Sequence, residues 1–401
     1  MKIIDFQEKI HNDKTDMWRF TNFSKLKKAT FLEENESELC DIESKIESII
    51  EDHKAANRFD DFIVIIDGQV DNSLSGVQNV SVDFVEFDSS ENFVDSIVTS
   101  DLILDSSNKT WSKKQIVLNL EPDTESTDNE CVQKRIKLII VSTGNNNSVN
   151  IHINCPEKSE SAWTLLEVFP EQSSFIQNHQ LTVNQLDGSK VNIVYLKSLG
   201  QDNLSDSYHF LSSRIKLGKN CKLKTLDCME NSSFTRHKLC VDFDGEDSTA
   251  DLFGIGLFKE ETAQHTHIQI NHRVKNCTSS QLYKHMLFNR ASAEFAGLVS
   301  VSEGASGTLS NQSNPNLVFS DDARAYSRPQ LNILNDDVQC NHGATVGQID
   351  ELSLFYLKSR GVSEKEAKLV LLKGFIEDVF NDFSECEQEK SSYLEELRKV
   401  L

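Results

Sequence analysis

Short apolar or alternating segments recur through the middle of the chain, from about residue 134 to residue 338, and Gly, Asn, Asp and Ser separate them. A period of two is typical of a half-buried β-strand, and no convincing helical spacing interrupts it between residues 215 and 334. Strands that continue over such a distance favour a solenoid, such as a parallel β-helix, over a single sandwich, although no repeat is visible residue by residue. The expected strand segments are 149–153, 165–168, 191–196, 214–217, 238–241, 252–257, 267–270, 294–301, 316–319 and 330–334.

The beginning of the chain has a different periodicity. Leu39, Ile42 and Ile46 recur at intervals of three and four, as on one face of a helix. Residues 62–66 form an apolar run that predicts a buried strand. A polar, acidic stretch at residues 121–130 then indicates a loop near a domain boundary.

The end of the chain is helical again. Asp350 is a candidate N-cap for a helix that runs to Ser359, with Gly361 in the C′ position. Ser363 begins a capping box for a second helix, and Ser392 is a candidate cap for a third. The apolar face of the second helix is wide, so it either packs on the solenoid or docks another protein. This face consists of Ala367, Leu371, Phe375, Val379 and Phe383, beside Leu372, Ile376 and Phe380.

These patterns predict a mainly β fold with flanking helices. We expect an N-terminal, mostly helical domain at residues 1–130, a parallel β-helix core at residues 131–344 and a C-terminal helical domain at residues 345–401. The chain has only five prolines, which argues against long disordered linkers between these domains.

The charge balance restricts the partners. The chain carries 63 acidic and 41 basic residues, a formal net charge of −22 at pH 7. Nucleic acid and anionic lipid both require a basic surface, so we expect neither of them as a partner. The N-terminus does not look like a signal peptide, and the apolar run at residues 62–66 is far too short to span a membrane. We therefore expect a cytoplasmic protein whose nine cysteines are mostly free thiols.

The common catalytic signatures are missing from the sequence. It contains no G-x-x-x-x-G-K-[ST], no G-x-S-x-G, no H-E-x-x-H and no C-x-x-C. We therefore expect no ATP site in this chain. A Ser/His/Asp triad stays open, although nothing in the sequence points to one. A β-helix polysaccharide lyase or esterase is the alternative from a different class, and it would need a cleft lined with carboxylates and basic residues.

Two soft metal ligands stand two residues apart near the end of the core. Cys340 and His342 would lie on one face of an extended segment, with Asn341 on the other. A thiolate and an imidazole can bind iron or zinc, but a pair is only half a site. Its other ligands must come from elsewhere in the fold or from a partner. The alternative is a buried thiol beside a surface imidazole.

His265, His267 and His272 form the other dense histidine group. On a strand, His265 and His267 would share a face. The group is either a metal or proton-relay site, or a ladder of polar side chains on the outside of a sheet.

Several blocks of the sequence resemble one protein family. They are CTSSQLYK at residues 277–284, FAGLVSV at 295–301, QLNI at 330–333, DDVQCNHGATVG at 336–347, LFYL at 354–357 and SRG at 359–361. On these blocks the chain is similar to the SufB/SufD family of iron–sulfur cluster assembly proteins and, within it, to the SufD members. SufB members typically have glutamates beside the matching histidine and a cysteine where this chain has Asn314, whereas Asn341 and Gly343 flank the histidine here.

The resemblance implies a right-handed parallel β-helix between two helical domains, in a non-enzymatic scaffold that pairs with SufB and docks the SufC ATPase. It implies a transient iron–sulfur cluster or iron at the SufB interface, where His342 matches the family's histidine and Cys340 its nearby cysteine. A SufB-like paralogue and a homodimer in isolation remain alternatives. The family's C-terminal helices dock SufC, and the candidate residues for that contact are Phe355, Tyr356, Arg360, Gly361 and Phe375.

Overall fold

The computed structural model describes residues 59–86, 112, 114–122, 133–142, 146–168, 175–198, 207–229, 232–383 and 386–401. Strands dominate this part of the chain up to residue 347, and helices follow. The strands are β1 (Asp61–Ile66), β2 (Gln69–Val70), β3 (Val80–Glu86), β4 (Lys114–Leu120), β5 (Lys134–Val141), β6 (Asn146–Asn147), β7 (Asn150–Cys155), β8 (Glu160–Val168), β9 (Phe175–Gln185), β10 (Lys190–Ser198), β11 (Ser207–Leu217), β12 (Lys222–Met229), β13 (Phe234–Phe243), β14 (Thr249–Phe258), β15 (Ala263–His272), β16 (Thr278–Leu287), β17 (Ser292–Val301), β18 (Thr308–Val318), β19 (Arg324–Ile333) and β20 (Val338–Gly347). The helices are α1 (Glu351–Ser359), α2 (Glu364–Phe380) and α3 (Glu387–Val400).

The strands form two sheets, and the chain alternates between them. Sheet A has the order β2-β1-β5-β8-β10-β12-β14-β16-β18-β20, and sheet B has the order β19-β17-β15-β13-β11-β9-β7-β4-β3, with β6 beside β9. Two pairs at the N-terminal end, β1 with β2 and β3 with β4, are antiparallel. The later strands pair in parallel with the strands of the neighbouring coils. The fold is therefore a parallel β-solenoid built from two sheets, as the sequence predicts.

Residues at the turns between the sheets stack from coil to coil. Asn220, Asp247 and Asn276 have positive φ angles of 55°, 62° and 57°. The backbone N–H of Asn220 donates to the carbonyl of Glu246, and that of Asn276 to the carbonyl of Ser306, each at 2.9 Å. Asn, Asp and Gly adopt this left-handed conformation more readily than other residues. This geometry explains why these residue types separate the strand segments in the sequence.

One column of inward-facing positions on sheet A changes from apolar to polar toward the C-terminal end of the solenoid. Ile136, Trp163 and Ile193 are paired in register, face inward and are buried. Three coils further on, the same column of inward positions holds Gln281 and then Gln312, both buried. Their amides are joined, because Gln312 Nε2 donates to Gln281 Oε1 at 2.9 Å. This column therefore ends in a hydrogen-bonded pair of amides, within last coils that also contain buried apolar residues such as Phe295 and Val299.

Helices α2 and α3 cover the outer face of sheet A. Leu372, Ile376 and Val379 of α2 are buried in one cluster with Leu226 of β12 and Ile255 of β14. Most of the wide apolar face of α2 therefore packs on the solenoid, which is one of the two alternatives that the sequence leaves open.

Polar contacts fix the orientation of these helices on the sheet. The ammonium of Lys284 on β16 lies 2.6 Å from the carboxylate of Asp378 on α2. The Tyr393 hydroxyl of α3 lies 2.8 Å from the backbone carbonyl oxygen of Met229. Since both contacts connect residues far apart in the sequence, they hold the helical tail to the core.

The helix boundaries agree with the predicted caps in two of three cases. The Asp350 carboxylate accepts the Ser353 N–H at 2.9 Å, and Gly361 follows α1 with a φ of +88°. Ser363 and Glu366 form the complete capping box of α2. The predicted start of the third helix at Ser392 is wrong. α3 instead begins at Glu387, and its N-cap position, Cys386, lies six residues before Ser392. Glu387 and Glu389 lie in the first turn, where acidic residues are favourable.

The N-terminal predictions are only partly covered by the described residues. β1 confirms the strand expected at residues 62–66. The helix expected around Leu39, Ile42 and Ile46 lies outside the described residues, as do residues 87–111 of the expected N-terminal domain, so this domain and the domain boundaries stay predictions. The described part of residues 1–130 contains β1 to β4, which continue the two sheets of the core. None of the described helices is long and apolar enough to cross a membrane.

Burial predicts the effect of shortening side chains on α2. Ile376 is fully buried against sheet A, whereas Val370 on the same helix is 55% exposed. Ile376→Ala should lower the free energy of unfolding by about 2–5 kcal/mol, because it leaves a cavity. Val370→Ala should change it by less than about 0.5 kcal/mol. Chemical denaturation followed by circular dichroism measures both values, and equal effects would contradict the packing described for α2.

Candidate functional site

β20 ends sheet A and β19 ends sheet B, so these two strands form the C-terminal end of the solenoid. β20 pairs with β18 and β19 with β17, and no other strand of the described residues continues either sheet. Both strands are ten residues long. Backbone N–H and C=O groups along such edges are available for pairing with another chain.

Cys340 and His342 lie on β20 at this end. The register places Cys340 beside Ser310 and His342 beside Gln312, and both of these β18 residues are buried. Cys340 packs in part against the core between the sheets, whereas His342 is exposed. Burial raises the pKa of the Cys340 thiol. The thiol is therefore less readily ionised than an exposed cysteine.

The pair supplies one sulfur and one nitrogen ligand from the same face of one strand. A tetrahedral metal site needs four ligands. Among the described residues, neither Cys340 nor His342 belongs to a group of three or more potential ligands. Cys340 and His342 could therefore provide at most two of the four ligands of such a site.

The two histidines of the other predicted group lie beside a carboxylate on the outer face of sheet B. His265 Nδ1 is 2.8 Å from Glu294 Oε2, and His267 Nε2 is 3.8 Å from Glu294 Oε1. Arg328 forms an ion pair with the same carboxylate, and Arg236 Nη1 is 3.4 Å from His267 Nε2. Burial would raise the pKa of Glu294, but the hydrogen bonds with His265 and His267 hold it well below its usual range. Because two guanidinium groups share this cluster, it resembles a structural ion-pair network more than a cation site.

His272 does not join this group. Its ring stacks on Phe243 with the centroids 4.5 Å apart, and its Nε2 lies 2.9 Å from Ser279 Oγ. Burial lowers the pKa of His272 to about 4. The three histidines that are close in sequence therefore do not form a single site.

A second buried group, between the sheets, also has the composition of a metal site. Glu167, His179 and His209 offer ligand atoms within 4.8 Å of one another. However, His209 Nε2 is 2.6 Å from the Glu167 carboxylate. His179 accepts a backbone N–H at 3.1 Å through Nδ1, and its Nε2 lies 2.9 Å from Gln177 Oε1. A cation could bind there only if these hydrogen bonds were broken. The nearby positive charge of Lys197 would also repel it.

Three further residues in the interior have the arrangement of a nucleophile, a base and an acid. Ser213 Oγ is 3.2 Å from His237 Nε2, and His237 Nδ1 is 2.6 Å from Asp227 Oδ2. All three side chains are buried, and the Tyr195 ring packs edge-on against His237 at 4.8 Å between centroids. A substrate would have to enter the packed interior, so the geometry favours a hydrogen-bonded core over hydrolysis. The sequence gives no indication of this group, because its members lie on three successive strands.

Helix α1 presents apolar side chains to solvent. None of its residues is buried, and Leu352, Phe355 and Tyr356 are 78%, 71% and 57% exposed. The Arg360 guanidinium lies over the Tyr356 ring at 5.0 Å. Clustered exposed apolar residues of this kind mark interaction surfaces. We call Leu352, Phe355 and Tyr356 the α1 patch.

Phe375, the remaining candidate for partner binding, has a different environment from the α1 patch. It is half-buried and packs at the edge of the α2–sheet A cluster. The Lys284 ammonium lies 4.6 Å from its ring centroid. The structure therefore separates the candidate docking residues into an exposed set on and after α1 and one residue that is engaged with the core.

Comparison with known proteins adds a family match. The sequence profile described as "SUF system FeS cluster assembly, SufBD core domain" matches residues 133–375. That range extends from β5 into α2, so it includes Cys340, His342 and the α1 patch.

Individual relatives agree with this match. The chain is 31% identical over 169 residues to the iron–sulfur cluster assembly protein SufD of Escherichia coli, across 42% of this chain and 40% of that protein. It is 28% identical over 215 residues to an iron–sulfur cluster assembly SufBD family protein of Synechocystis, across 53% and 46%. It is 30% identical over 188 residues to a SufBD family protein of Mycobacterium bovis, across 44% and 47%. The matched region thus spans less than half the length of each of these relatives.

The buried histidines predict that the fold is sensitive to acid. Burial lowers the pKa of His209, His272 and His285 to about 4, compared with about 6.5 in an unfolded chain. As the pH falls below about 6.5, the unfolded state takes up these protons first, so stability is lost progressively toward pH 4. Denaturation measured from about pH 7 to pH 5 should show this decline. A constant free energy of unfolding over this range would contradict the prediction.

Proposed function

Because the chain belongs to the SufBD core family of the SUF iron–sulfur cluster assembly system, we propose that it is a non-enzymatic scaffold subunit that pairs with SufB and docks the SufC ATPase. The observation that carries this proposal is the position of Cys340 and His342 on a solenoid edge that no described strand covers. The described cysteines are free thiols, which suits a reducing cytoplasm.

Pairing with SufB would use the C-terminal end of the solenoid. β19 and β20 offer two ten-residue edges there. Exposed apolar side chains lie on or beside these strands, including Leu334 at 60% and Val346 at 55% exposure. Backbone pairing combined with apolar contact is a common basis of strand-mediated recognition. A second chain at this end would cover the edges and bring further ligands to His342.

The assignment as the SufD-type partner rests on the surroundings of His342. Asn341 and Gly343 flank it, so no carboxylate is adjacent in sequence. Asn314, at the position where SufB members have a cysteine, is buried and its Nδ2 donates to the Tyr283 carbonyl at 2.8 Å. A buried amide that is used in this way is a structural group and not a metal ligand. These features favour the SufD type over a SufB-like paralogue.

The chemistry of assembly needs a site that can hold iron and sulfide and later release them. A site shared by two chains has this property, because separation of the chains removes half of the ligands. On this chain, Cys340 would lose its proton as it binds the cargo, and His342 would bind as the neutral imidazole. Motion driven by ATP in a docked ATPase would then control how closely the two halves approach.

The proposed docking surface for SufC is the α1 patch. Phe355 and Tyr356 are exposed, while the buried face of α2 holds the helical tail to sheet A. A partner at α1 would therefore be coupled through α2 to the solenoid. This arrangement would connect movement of the ATPase to the end of the solenoid, where β20 leads directly into α1.

The proposed ligand role is tested by His342→Ala, because removing the imidazole removes a ligand without disturbing a buried contact. The chain is co-expressed with SufB and SufC, purified by affinity and examined anaerobically by ultraviolet–visible spectroscopy. We expect an intact complex whose iron–sulfur absorbance is reduced at least about 10-fold. Asn341→Ala, on the opposite face of β20, is the matched control and should keep the absorbance. Dissociation of the His342→Ala complex would instead assign a structural role to the residue, and unchanged absorbance would reject the ligand role.

Two charge substitutions test the two proposed interfaces against each other. Phe355→Asp should weaken SufC binding by about 2 kcal/mol or more, as expected for an aromatic anchor, and leave SufB pairing unchanged. Leu334→Asp, at the end of the solenoid, should weaken SufB pairing and leave SufC binding unchanged. Titration calorimetry or biolayer interferometry measures both, and circular dichroism checks that the chain remains folded. Loss of SufB pairing in Phe355→Asp, or loss of SufC binding in Leu334→Asp, would contradict the proposed surfaces.

Phe375→Asp is a less direct probe of SufC binding. The half-buried ring lies under Lys284 at the edge of the α2 cluster, so a carboxylate there also disturbs packing on sheet A. Its effect on binding can be assigned to SufC contact only if the helical tail stays folded.

A further inference from the structure

Gln312 lies directly beside His342 in the parallel register of β18 and β20. In parallel strands, residues in register project from the same face with the strands about 4.8 Å apart. Gln312 is 1% exposed, whereas His342 is exposed, since β20 has no described strand on its outer side. The inward face of the half site therefore has a buried amide next to the histidine.

The orientation of this amide leaves one atom unused. Gln312 Nε2 donates to Gln281 Oε1 at 2.9 Å, on the side away from β20. Gln312 Oε1 is buried and has no hydrogen-bond partner. A buried acceptor without a partner costs about 1–3 kcal/mol, so a donor at this position would be favourable. Because the amide nitrogen is already bonded to Gln281 on β16, the carbonyl oxygen is the atom of this side chain that remains for a further donor.

A glycine on the opposite sheet makes room for the amide. A Cβ atom on Gly297 of β17 would lie 1.8 Å from Gln312 Nε2 and 2.6 Å from Gln312 Cδ. Glycine weakens the interior of a strand, and a close approach by another group is a usual reason for its presence there. Gln281 and Gly297, on two different strands, therefore hold the Gln312 side chain in place.

We propose that Gln312 is a positioning residue for His342, with its Oε1 accepting the ring N–H opposite the nitrogen that binds iron. This inference rests on the proposed function of His342 as a ligand. Ligand histidines usually donate their second ring N–H to a carbonyl or carboxylate, which fixes the tautomer and the orientation of the ring. A neutral imidazole has one N–H and one lone pair, so an acceptor on one side directs the lone pair to the other. The contact would form when a partner covers β20 and brings the imidazole inward.

The first test compares substitutions at Gln312 in the complete complex with SufB and SufC. Affinity for ferrous iron is measured anaerobically by competition with a chromogenic chelator. Gln312→Leu removes the acceptor and should lower the affinity about 10–100-fold. Gln312→Glu should keep most of the iron affinity, because a carboxylate at this position still accepts the N–H of His342. Its other oxygen can accept from Gln281 Nε2, which has no partner in the wild-type chain. Equal loss in both variants, or no loss in Gln312→Leu, would overturn the positioning role.

Gly297→Ala tests the same role without changing a polar residue. The added methyl displaces the end of the Gln312 side chain, which is flexible, so the fold should persist while iron affinity falls as in Gln312→Leu. Gln264→Leu is the matched control, since Gln264 is also buried with an unpaired Oε1 but lies on β15, away from the site. It should match Gln312→Leu in thermal stability and keep wild-type iron affinity. Loss of affinity in Gln264→Leu would assign the effect to general destabilisation and overturn the inference.

His342→Ala separates this inference from the proposed function. If His342→Ala removes iron binding and Gln312→Leu and Gly297→Ala do not, the positioning role fails and the ligand role stands. If His342→Ala itself leaves iron binding unchanged, the ligand role fails and the positioning role fails with it.

Discussion

Backbone hydrogen bonds between successive coils hold the solenoid together. At each end this pairing stops, and the two ends differ in the strands at which it stops. Each inner strand of a parallel solenoid satisfies its N–H and C=O groups with the coil before it and the coil after it. At the N-terminal end the described sheets finish in antiparallel strands, one of them the two-residue β2. At the C-terminal end they finish in two ten-residue parallel strands, β19 and β20. Among the described strands, that end carries the longer edge without a further strand beside it, and it also carries Cys340 and His342.

The interior changes its chemistry toward the same end. The column of inward residues that begins with Ile136 and Trp163 holds Gln281, Gln312 and finally His342 in the last coils. Buried amides reduce stability unless they are paired, so an apolar column would be the simpler way to build a core. Under the proposed function, their position beside Cys340 and His342 would connect these amides to metal binding. Farther inside, the groups around Glu167 and Asp227 are already paired, which makes them part of the scaffold and not of the site.

Much of the fold follows from short-range chemistry that a sequence displays. Alternation and turn residues predict the strands, and the side chains of Asp350 and Ser363 predict two helix starts from local hydrogen bonds. A two-residue spacing suffices to put Cys340 and His342 on one face of β20. The same rule separates His272 from His265, because seven residues along a strand bring the side chain to the opposite face. The alternation of side chains along a strand is therefore enough to place His272 outside a site formed by His265 and His267.

What the sequence does not show depends on which coils become neighbours. The coils differ in length, so no repeat identifies the partner of a given strand. The contacts of Ser213 with His237, and of Gln312 with Gln281, therefore become visible only in the fold. Burial of the α2 face on sheet A is likewise decided by tertiary packing, because an apolar stripe serves a core and an interface equally well.

Amide hydrogen exchange of β20, read by mass spectrometry with the chain alone and in complex with SufB, tests most directly whether this edge is the assembly surface. Peptides from residues 338–347 should exchange rapidly in the isolated chain and become protected in the complex. Peptides from β14, in the middle of sheet A, should be protected in both states and serve as the internal reference. Equally rapid exchange of β20 with and without SufB would contradict the claim that cluster assembly takes place at this end of the solenoid.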